Sequence, residues 1–162
     1  MVKNLKSLER KLRLKIPRAV ERQLRQQMAV AADRIVQTAQ GLVPQRHGDL
    51  KNSIGWVWGN DAPKGSISLG SLFGSGSGDS DLVITIFAGD DEAFYARWVE
   101  FGTQPHSTTS GADISRNKRQ SNRVHGGTPP QPFFFPAYRL NRRSAKSRIS
   151  RAIKKGLAEG SR

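Results

Sequence analysis

The sequence contains no cysteine and no long run of apolar residues. Without thiols it cannot build a disulfide framework, a thiolate metal site or a cysteine nucleophile, and this composition fits a reducing compartment. No run approaches the roughly 20 apolar residues that a membrane-spanning helix needs. The amino-terminal residues, Met-Val-Lys-Asn-Leu-Lys, lack the apolar core of a secretory signal. We therefore expect no secretory signal and no membrane partner.

Apolar residues are scarce throughout the chain. Only 36% of the 162 residues are hydrophobic and 7% are aromatic, whereas 16 residues are glycine and 8 are proline. A chain of this length favours one domain, 1–162, which buries about 70% of its unfolded surface. We expect a modest core and several long loops.

Acidic residues are few, with 13 Asp and Glu against 27 Lys and Arg and a net charge of +14. The excess lies at the two ends: ten basic against three acidic residues in 1–40 and nine against one in 137–162, whereas 41–136 has eight against nine. Two basic arms predict contact with a polyanion or an acidic partner surface; the alternative is solvated helix faces that aid solubility. The candidate polyanion-facing residues are Lys3, Lys6, Arg10, Arg13, Arg116, Lys118, Arg119, Arg142 and Arg143.

Rows of Arg and Lys bind phosphate without reading base sequence. No helix-turn-helix, zinc-finger or RNA-stacking motif accompanies them here. Any contact with nucleic acid would therefore be nonspecific and sensitive to salt.

Hydrophobic spacing predicts a short amino-terminal helix and then a long one over 17–40, with Pro17 at its start and Gly41 at its end. Alternating or β-branched stretches predict strands at 54–58, 66–69 and 82–88. Turn residues between them, including the glycine-rich segment 74–78, favour an antiparallel meander. Residues 49–53 fit either one helical turn or the start of a strand.

The densest apolar stretch is 94–103. Phe94, Trp98 and Phe101 recur at helical spacing, which predicts a helix of about three turns with that stripe in the core. Acidic residues 90–92 would cap its amides, and Gly102 would end it. Glu100 does not fit a core face, and we expect it to anchor this junction to Arg97 or to a basic arm.

The remaining chain divides into a loop and a helix. Residues 104–128 read as a long, basic, polar loop, and Pro136 begins a last helix that runs to about Leu157. Its apolar row is broken at Asn141 and Ser144, so we expect part of it to pack on neighbouring chains or to stand free in solvent. The predicted fold is α+β: a basic helical arm (1–40), a small antiparallel sheet with the central helix (41–103), the loop (104–128), and a proline- and phenylalanine-rich segment with a basic carboxy-terminal helix (129–162).

No catalytic or metal-binding pattern is present. His47, His106 and His125 lie in predicted loops and lack the spacing of a zinc site. The glycine-rich segment 74–78 has neither the Lys of a P-loop nor the strand–turn–helix context of a nucleophile elbow. Asp90 and Asp91 suit helix capping better than metal binding. We predict no enzymatic activity, no cofactor and no metal.

Three segments resemble the small neck, or tail-completion, proteins of long-tailed bacteriophages. The first, Val-Pro-Gln-Arg-His-Gly-Asp-Leu-Lys-Asn-Ser-Ile at 43–54, is similar to the family's Ala-Pro-Val-Asp-Thr-Gly-Asn-Leu-Arg-Asn-Ser-Ile, with Arg46 and His47 in place of Asp-Thr. The second, Tyr-Ala-Arg-Trp-Val-Glu-Phe-Gly-Thr at 95–103, is similar to Tyr-Ala-x-Tyr-Val-Glu-Phe-Gly-Thr. The third, Pro-Pro-Gln-Pro-Phe-Phe-Phe-Pro-Ala at 129–137, is similar to Pro-x-Gln-Pro-Phe-Leu-x-Pro-Ala.

The resemblance implies a structural subunit of the virion that is assembled in the host cytoplasm and joins the tail to the DNA-filled head, at the head–tail junction or the tail top. It implies a homo-oligomeric ring, with six copies favoured, next to head–tail connector, tail terminator or tail tube proteins and in possible nonspecific contact with phage DNA. The alternative is a stand-alone, nonspecific nucleic-acid-binding protein. Residues expected to serve packing, turns and interfaces are Gly48, Leu50, Ser53, Ile54, Tyr95, Val99, Glu100, Phe101, Gly102, Pro132, Phe133 and Pro136.

Overall fold

Two long helices pack together and cover a small antiparallel sheet. A computed structural model describes residues 11–44, 48–71, 82–107 and 124–161 of the chain. In chain order its helices are α1 (Ile16–Leu42), α2 (Asp49–Asn52), α3 (Ala96–Phe101) and α4 (Phe134–Ser161). Its strands are β1 (Ile54–Trp58), β2 (Ile67–Ser71), β3 (Ile84–Ala88), β4 (His106–Ser107) and β5 (Val124–His125). The predicted α+β fold, with a long helix near each end of the chain, is confirmed.

A π-helical turn, Lys11–Lys15, leads directly into α1. Pro17 lies in the first turn of α1, where its missing N–H costs no hydrogen bond. The helix was predicted to run to about Gln40 and to end at Gly41, but α1 continues to Leu42 and Val43 then takes an extended conformation. Pro44 explains this end, since a residue before proline is disfavoured in the helical region. The predicted helix over the first ten residues lies outside the described part of the chain.

The three longer strands pair in the order β1-β3-β2, and both pairs are antiparallel. The predicted meander is therefore wrong: β3 lies in the middle and pairs through Ala88 with both Ile54 and Ile67. The apolar sequence of β3 accounts for this place, because Ile84, Ile86 and Ala88 are all fully buried. These alternate residues point to the face of the sheet that packs against the core, and Thr85 on the other face donates its hydroxyl to the Gly59 carbonyl oxygen. The glycine-rich segment 74–78 lies outside the described residues.

The segment predicted as a loop, 104–128, begins and ends in paired strands. β4 pairs antiparallel with β5, and Thr103 pairs with Thr128 just beyond them. Residues 108–123, which include Arg116, Lys118 and Arg119, lie outside the described part of the chain.

Helix α4 lies along α1 in the opposite direction. The side-chain amide of Asn141 donates to the Thr38 hydroxyl at 2.9 Å. A methyl group placed on Gly156 would lie 2.5 Å from the Cα atom of Val20, so the two backbones are in direct contact there. The expectation that part of α4 stands free in solvent is thus wrong, whereas packing of its outer face on neighbouring chains stays a prediction. Its buried row consists mainly of small residues: Ala137, Ala145, Ala152, Gly156 and Gly160.

The core lies between this helix pair and the sheet. Its largest fully buried side chains are Phe133, Phe134, Ile35, Ile84 and Ile86. Two of these five residues come from the segment that opens α4, so the start of this helix is fixed in the centre of the molecule.

Candidate assembly junction around Glu100

Helix α3 presents its aromatic residues to solvent and its carboxylate to the core. The exposed fractions of Phe94, Trp98 and Phe101 are 52%, 51% and 57%, whereas that of Glu100 is 3%. The prediction that the aromatic stripe is a core face is therefore wrong. The predicted three-turn helix is also shorter, at six residues.

Small residues explain this orientation. Ala93, Ala96 and Glu100 follow a spacing of three and four residues, and all three are buried. Ala96 lies so close to the sheet end that a methyl group on Gly89 would come within 3.0 Å of its Cβ atom. No aromatic side chain would fit on that side. The carboxylate of Asp90 accepts the backbone N–H of Ala93 at 2.7 Å and so fixes the turn before α3. The helix itself has no side-chain cap, so the prediction that residues 90–92 cap its amides is wrong.

The buried carboxylate of Glu100 binds the start of α4. Its Oε2 atom accepts the backbone N–H groups of Phe133 and Phe134, each at 2.8 Å, and its Oε1 atom accepts that of Phe135 at 3.1 Å. The first N–H groups of a helix have no partner within the helix, and Pro136 has no N–H to satisfy. A negative charge at a helix amino terminus is also favourable. Glu100 does anchor this junction, but its partners are backbone amides; the predicted partners, Arg97 or a basic arm, are wrong.

Backbone contacts extend the junction on both sides of Glu100. The N–H of Gln131 donates to the carbonyl oxygen of Val99 at 2.8 Å, and Thr103 exchanges two backbone hydrogen bonds with Thr128. Between them, Gly102 has a φ of 72°, and a methyl group on it would lie 2.6 Å from the Thr128 carbonyl oxygen. The position therefore requires glycine for its conformation and for space.

The three exposed aromatic residues Phe94, Trp98 and Phe101 form a surface that we call the aromatic face. The rings of Phe94 and Trp98 meet edge to face, with centroids 5.4 Å apart. The ring centroid of Phe101 lies 5.7 Å from that of Phe135 in α4, so the aromatic face reaches the helix that Glu100 holds. One carboxylate thus fixes the relative position of α3, its aromatic face and α4.

The remaining motif residues occupy two places. Gly48 begins α2 with a φ of 84°, and Leu50 and Ile54 are buried in the corner between α2 and β1. The Ser53 hydroxyl closes this corner by donating to the carbonyl oxygen of Leu50 at 3.0 Å. The others lie at the Glu100 junction: Tyr95 and Val99 are half-buried against the core, Pro132 is exposed, Phe133 is fully buried and Pro136 lies half-buried in the first turn of α4.

The predicted polyanion-facing residues do not form one cluster within the described part of the chain. Arg13 lies in the turn that precedes α1, next to the carboxyl end of α4, whereas Arg142 and Arg143 lie near its other end. All three side chains are exposed. Lys3, Lys6, Arg10, Arg116, Lys118 and Arg119 lie outside the described residues.

The sequence reading missed a polar cluster at the carboxyl end of α4. Glu159 accepts hydrogen bonds from Arg22 at 3.0 Å and from Gln23 at 3.0 and 3.1 Å, and Lys155 lies 3.9 Å away. The hydrogen bond from Arg22 is the main reason that the pKa of Glu159 lies below its ordinary value; partial burial opposes it, and Gln23 and Lys155 lower it further. The sequence did carry a sign that this part of α4 contacts another helix. Small residues recur there at spacings of seven, four and four: Ala145, Ala152, Gly156 and Gly160.

Two absences bear on function. Within 11–44, 48–71, 82–107 and 124–161, no group of His, Asp or Glu side chains is arranged to hold a metal ion. In the same residues, no helix has both the length and the apolar character to cross a membrane.

Comparison with known proteins gives one match. No curated protein and no solved structure matches the chain. Residues 3–102 match the family described as "Bacteriophage HK97-gp10, putative tail-component". The matched segment is more than half of the chain, and it includes α1, the three-stranded sheet, α3 and Glu100. The family resemblance predicted from the motifs is confirmed, and the chain belongs to this HK97-gp10-like family of bacteriophage tail components.

Proposed function

We propose that the chain is a structural subunit of the ring that completes the phage tail at the neck and joins it to the DNA-filled head. The ring consists of identical copies, six in number as the family resemblance implies. The chain has no catalytic task in this role. It provides a rigid body, one face for the neighbouring copy, and basic surfaces.

The observation that carries the proposal is the aromatic face. Phe94, Trp98 and Phe101 are each more than half exposed, although all three lie within eight residues of sequence. Contiguous exposed apolar patches on soluble proteins mark interaction sites, and aromatic residues are enriched at the centres of interfaces. In a ring, this face would meet a different surface of the next copy, which is the head-to-tail contact that closes rings.

Glu100 would set the geometry of that contact. Because it ties α3 to the start of α4, the aromatic face and Phe135 move as one body. The motif residues Gly48, Leu50, Ser53 and Ile54 would hold the sheet corner beneath it. Tyr95, Val99, Gly102, Pro132, Phe133 and Pro136 would shape the junction itself.

The exposed basic side chains of α4 would face phage DNA or acidic patches on head–tail connector, tail terminator or tail tube proteins. Within the described residues they include Arg139, Arg142, Arg143, Lys146 and Lys154. Such a surface holds a polyanion without reading its sequence.

Mass measurement of the purified protein, alone and mixed with tail tubes, tests the proposal. We expect the wild type to form a closed ring, alone or on the tubes, and Trp98→Ser to remain monomeric in both. Arg97→Ser is the matched control, because Arg97 is an exposed residue of the same helix; it should assemble as the wild type does. Negative-stain images of virions with labelled subunits should show the label at the neck or tail top. A label absent from both places, or a Trp98→Ser protein that assembles normally, would contradict the proposal.

A second candidate is a stand-alone, nonspecific nucleic-acid-binding protein, favoured by the exposed basic row on α4. It predicts that the monomer binds DNA and that its affinity falls steeply with salt. It also predicts that Trp98→Ser leaves DNA affinity unchanged, and that the wild type and this variant are both monomeric. Absence of DNA binding by the monomer at low salt would rule this candidate out.

A further inference from the structure

A basic hollow lies between α1 and α4, away from both the aromatic face and the Glu100 junction. It has a volume of about 210 Å³ and is open to solvent on one side. Its lining residues are Gln23, Gln27, Arg148, Arg151, Ala152 and Lys155. None of them was singled out by the sequence motifs, and we call this hollow the α1–α4 slot.

The spacing of the charges places them on one side of α4. Arg148, Arg151 and Lys155 follow each other at three and four residues, so they form one row along the helix. Gln23 and Gln27, four residues apart on α1, face this row across the slot. Among the described residues no acidic side chain lines the slot. Glu159 lies beside it, bound by Arg22 and Gln23 and 3.9 Å from the Lys155 amino group, so an anion would share Lys155 with Glu159.

Arg148 supplies the observation that points to a ligand. Its Nε–H group is buried and has no hydrogen-bond acceptor among the described residues, so an anion in the slot would bond to it only after the guanidinium turns toward the slot. A buried donor without an acceptor costs free energy, and buried polar groups are almost always satisfied by protein, water or ligand. The Arg151 guanidinium donates through Nε to the Ser147 carbonyl oxygen at 3.3 Å, which leaves its terminal nitrogens for an incoming anion.

We propose that the α1–α4 slot binds a phosphate group. Guanidinium groups match phosphate oxygens in geometry and bind them through charge-assisted hydrogen bonds. Phosphate has enough oxygens to contact all three cations of the row, whereas a single carboxylate has two. The phosphate is either a free inorganic ion or part of a DNA backbone at the open side of the slot. The site does not depend on the neck placement, and it would stand if the chain formed no ring.

The first test is binding of inorganic phosphate to the purified protein, by calorimetry and by thermal unfolding. Sodium chloride at the same ionic strength is the reference. We expect saturable binding and a rise in melting temperature with phosphate alone. Arg148→Gln and Arg151→Gln should each weaken binding by about tenfold, because each removes charge-assisted hydrogen bonds to the ion.

Arg34→Gln is the matched control, since it removes one exposed positive charge from α1 outside the slot. It should bind phosphate as the wild type does. Arg151 is exposed, so its variant should fold even if the loss of Arg148 disturbs the helix pair. Circular dichroism of each variant checks this. Equal effects of phosphate and chloride, or phosphate affinity unchanged by Arg151→Gln, would overturn the proposal.

The second test separates the two phosphate sources by measuring affinity for a short DNA duplex. If the slot takes a DNA phosphate, inorganic phosphate competes more strongly than chloride, and Arg148→Gln lowers DNA affinity by more than Arg34→Gln does. If the slot takes free phosphate only, Arg148→Gln and Arg34→Gln lower DNA affinity equally, and Arg148→Gln alone loses phosphate binding. Dependence on Arg148 for poly-glutamate but not for phosphate would overturn the proposal in favour of an acidic protein partner. Ring formation by Arg148→Gln is measured separately, so failure of this site and failure of the neck assignment remain distinguishable.

Discussion

The two ends of α4 are attached to the molecule by different interactions. At its start, the buried carboxylate of Glu100 accepts three backbone N–H groups. Near its end, Gly156 and Gly160 allow the backbones of α4 and α1 to touch, and Glu159 adds polar contacts at the edge. The first attachment depends on direction and charge, and the second depends on the absence of side-chain volume.

The two ends of α4 therefore differ in which side chains can change without loosening the helix. At the start of α4, Phe133 and Phe134 are fully buried and Glu100 binds the helix from inside, so the exposed aromatic residues of the neighbouring α3 are not needed to hold it. The end of α4 can carry many positive charges, because small residues make its backbone contact with α1 and only Glu159 adds polar contacts at the edge. The aromatic face can therefore change without altering how α4 is held, whereas a change of Gln23 or of the partly buried Arg148 would also affect the contact between α1 and α4.

The largest effect is expected from Glu100→Ala. It should lower the free energy of unfolding by about 3 to 5 kcal/mol, because three donors at the start of α4 lose their acceptor and each such loss costs about 1 to 3 kcal/mol. Glu100→Gln keeps one oxygen acceptor and should cost less. Urea unfolding at neutral pH measures both.

Glu92→Ala is the control for this end, because Glu92 is exposed just before α3. It should change stability by no more than about 0.5 kcal/mol. If Glu100→Ala were as mild as Glu92→Ala, the start of α4 would not depend on the carboxylate.

The next largest effect is expected at the other end, from Gly156→Ala. The new methyl group would lie 2.5 Å from the Cα atom of Val20 and would force the helices apart. We expect a loss of about 1 to 3 kcal/mol from this overpacking. The loss should appear although alanine favours a helix over glycine by about 1 kcal/mol.

Gly41→Ala gives the opposite sign in the same measurement. Gly41 lies in the last turn of α1, and nothing lies within 4 Å of an added methyl group. This variant should gain about 0.4 to 1 kcal/mol. If both Gly→Ala changes raised stability, helix propensity and not backbone contact would govern the end of α4.

The smallest effect is expected from the Glu159 cluster and should depend on pH. The pKa of Glu159 is lowered in the folded protein, mainly by the hydrogen bond from Arg22, so its contribution is present above its ordinary pKa of 4.5. That contribution is lost as pH falls through the lowered folded-state pKa. The stability difference between wild type and Glu159→Gln should therefore shrink in acid. In an Arg22→Gln background the pH-dependent difference should be smaller, and an unchanged difference would assign it to another group.

Sequence patterns predicted the elements well but not how they face each other. The apolar run at 82–88 predicted the strand β3, and Pro17 predicted the start of the long helix α1. The spacing of Phe94, Trp98 and Phe101 is the same whether a helix faces a core or another protein, so periodicity alone gave the wrong face. The buried side of α3 is marked by Ala93 and Ala96, which carry little hydrophobic weight. The partners of Glu100 are backbone amides more than thirty residues away, which no side-chain pattern indicates.

The central claim is that α3 keeps its charge inside and its aromatic face outside for a neighbouring subunit. Hydroxyl-radical footprinting of the free subunit and of intact tails tests it most directly, with the fully buried Phe133 as internal reference. We expect Phe94, Trp98 and Phe101 to be oxidised readily in the free subunit and to be protected in tails, while Phe133 is protected in both. Equal oxidation of the aromatic face in free subunits and in tails would contradict it.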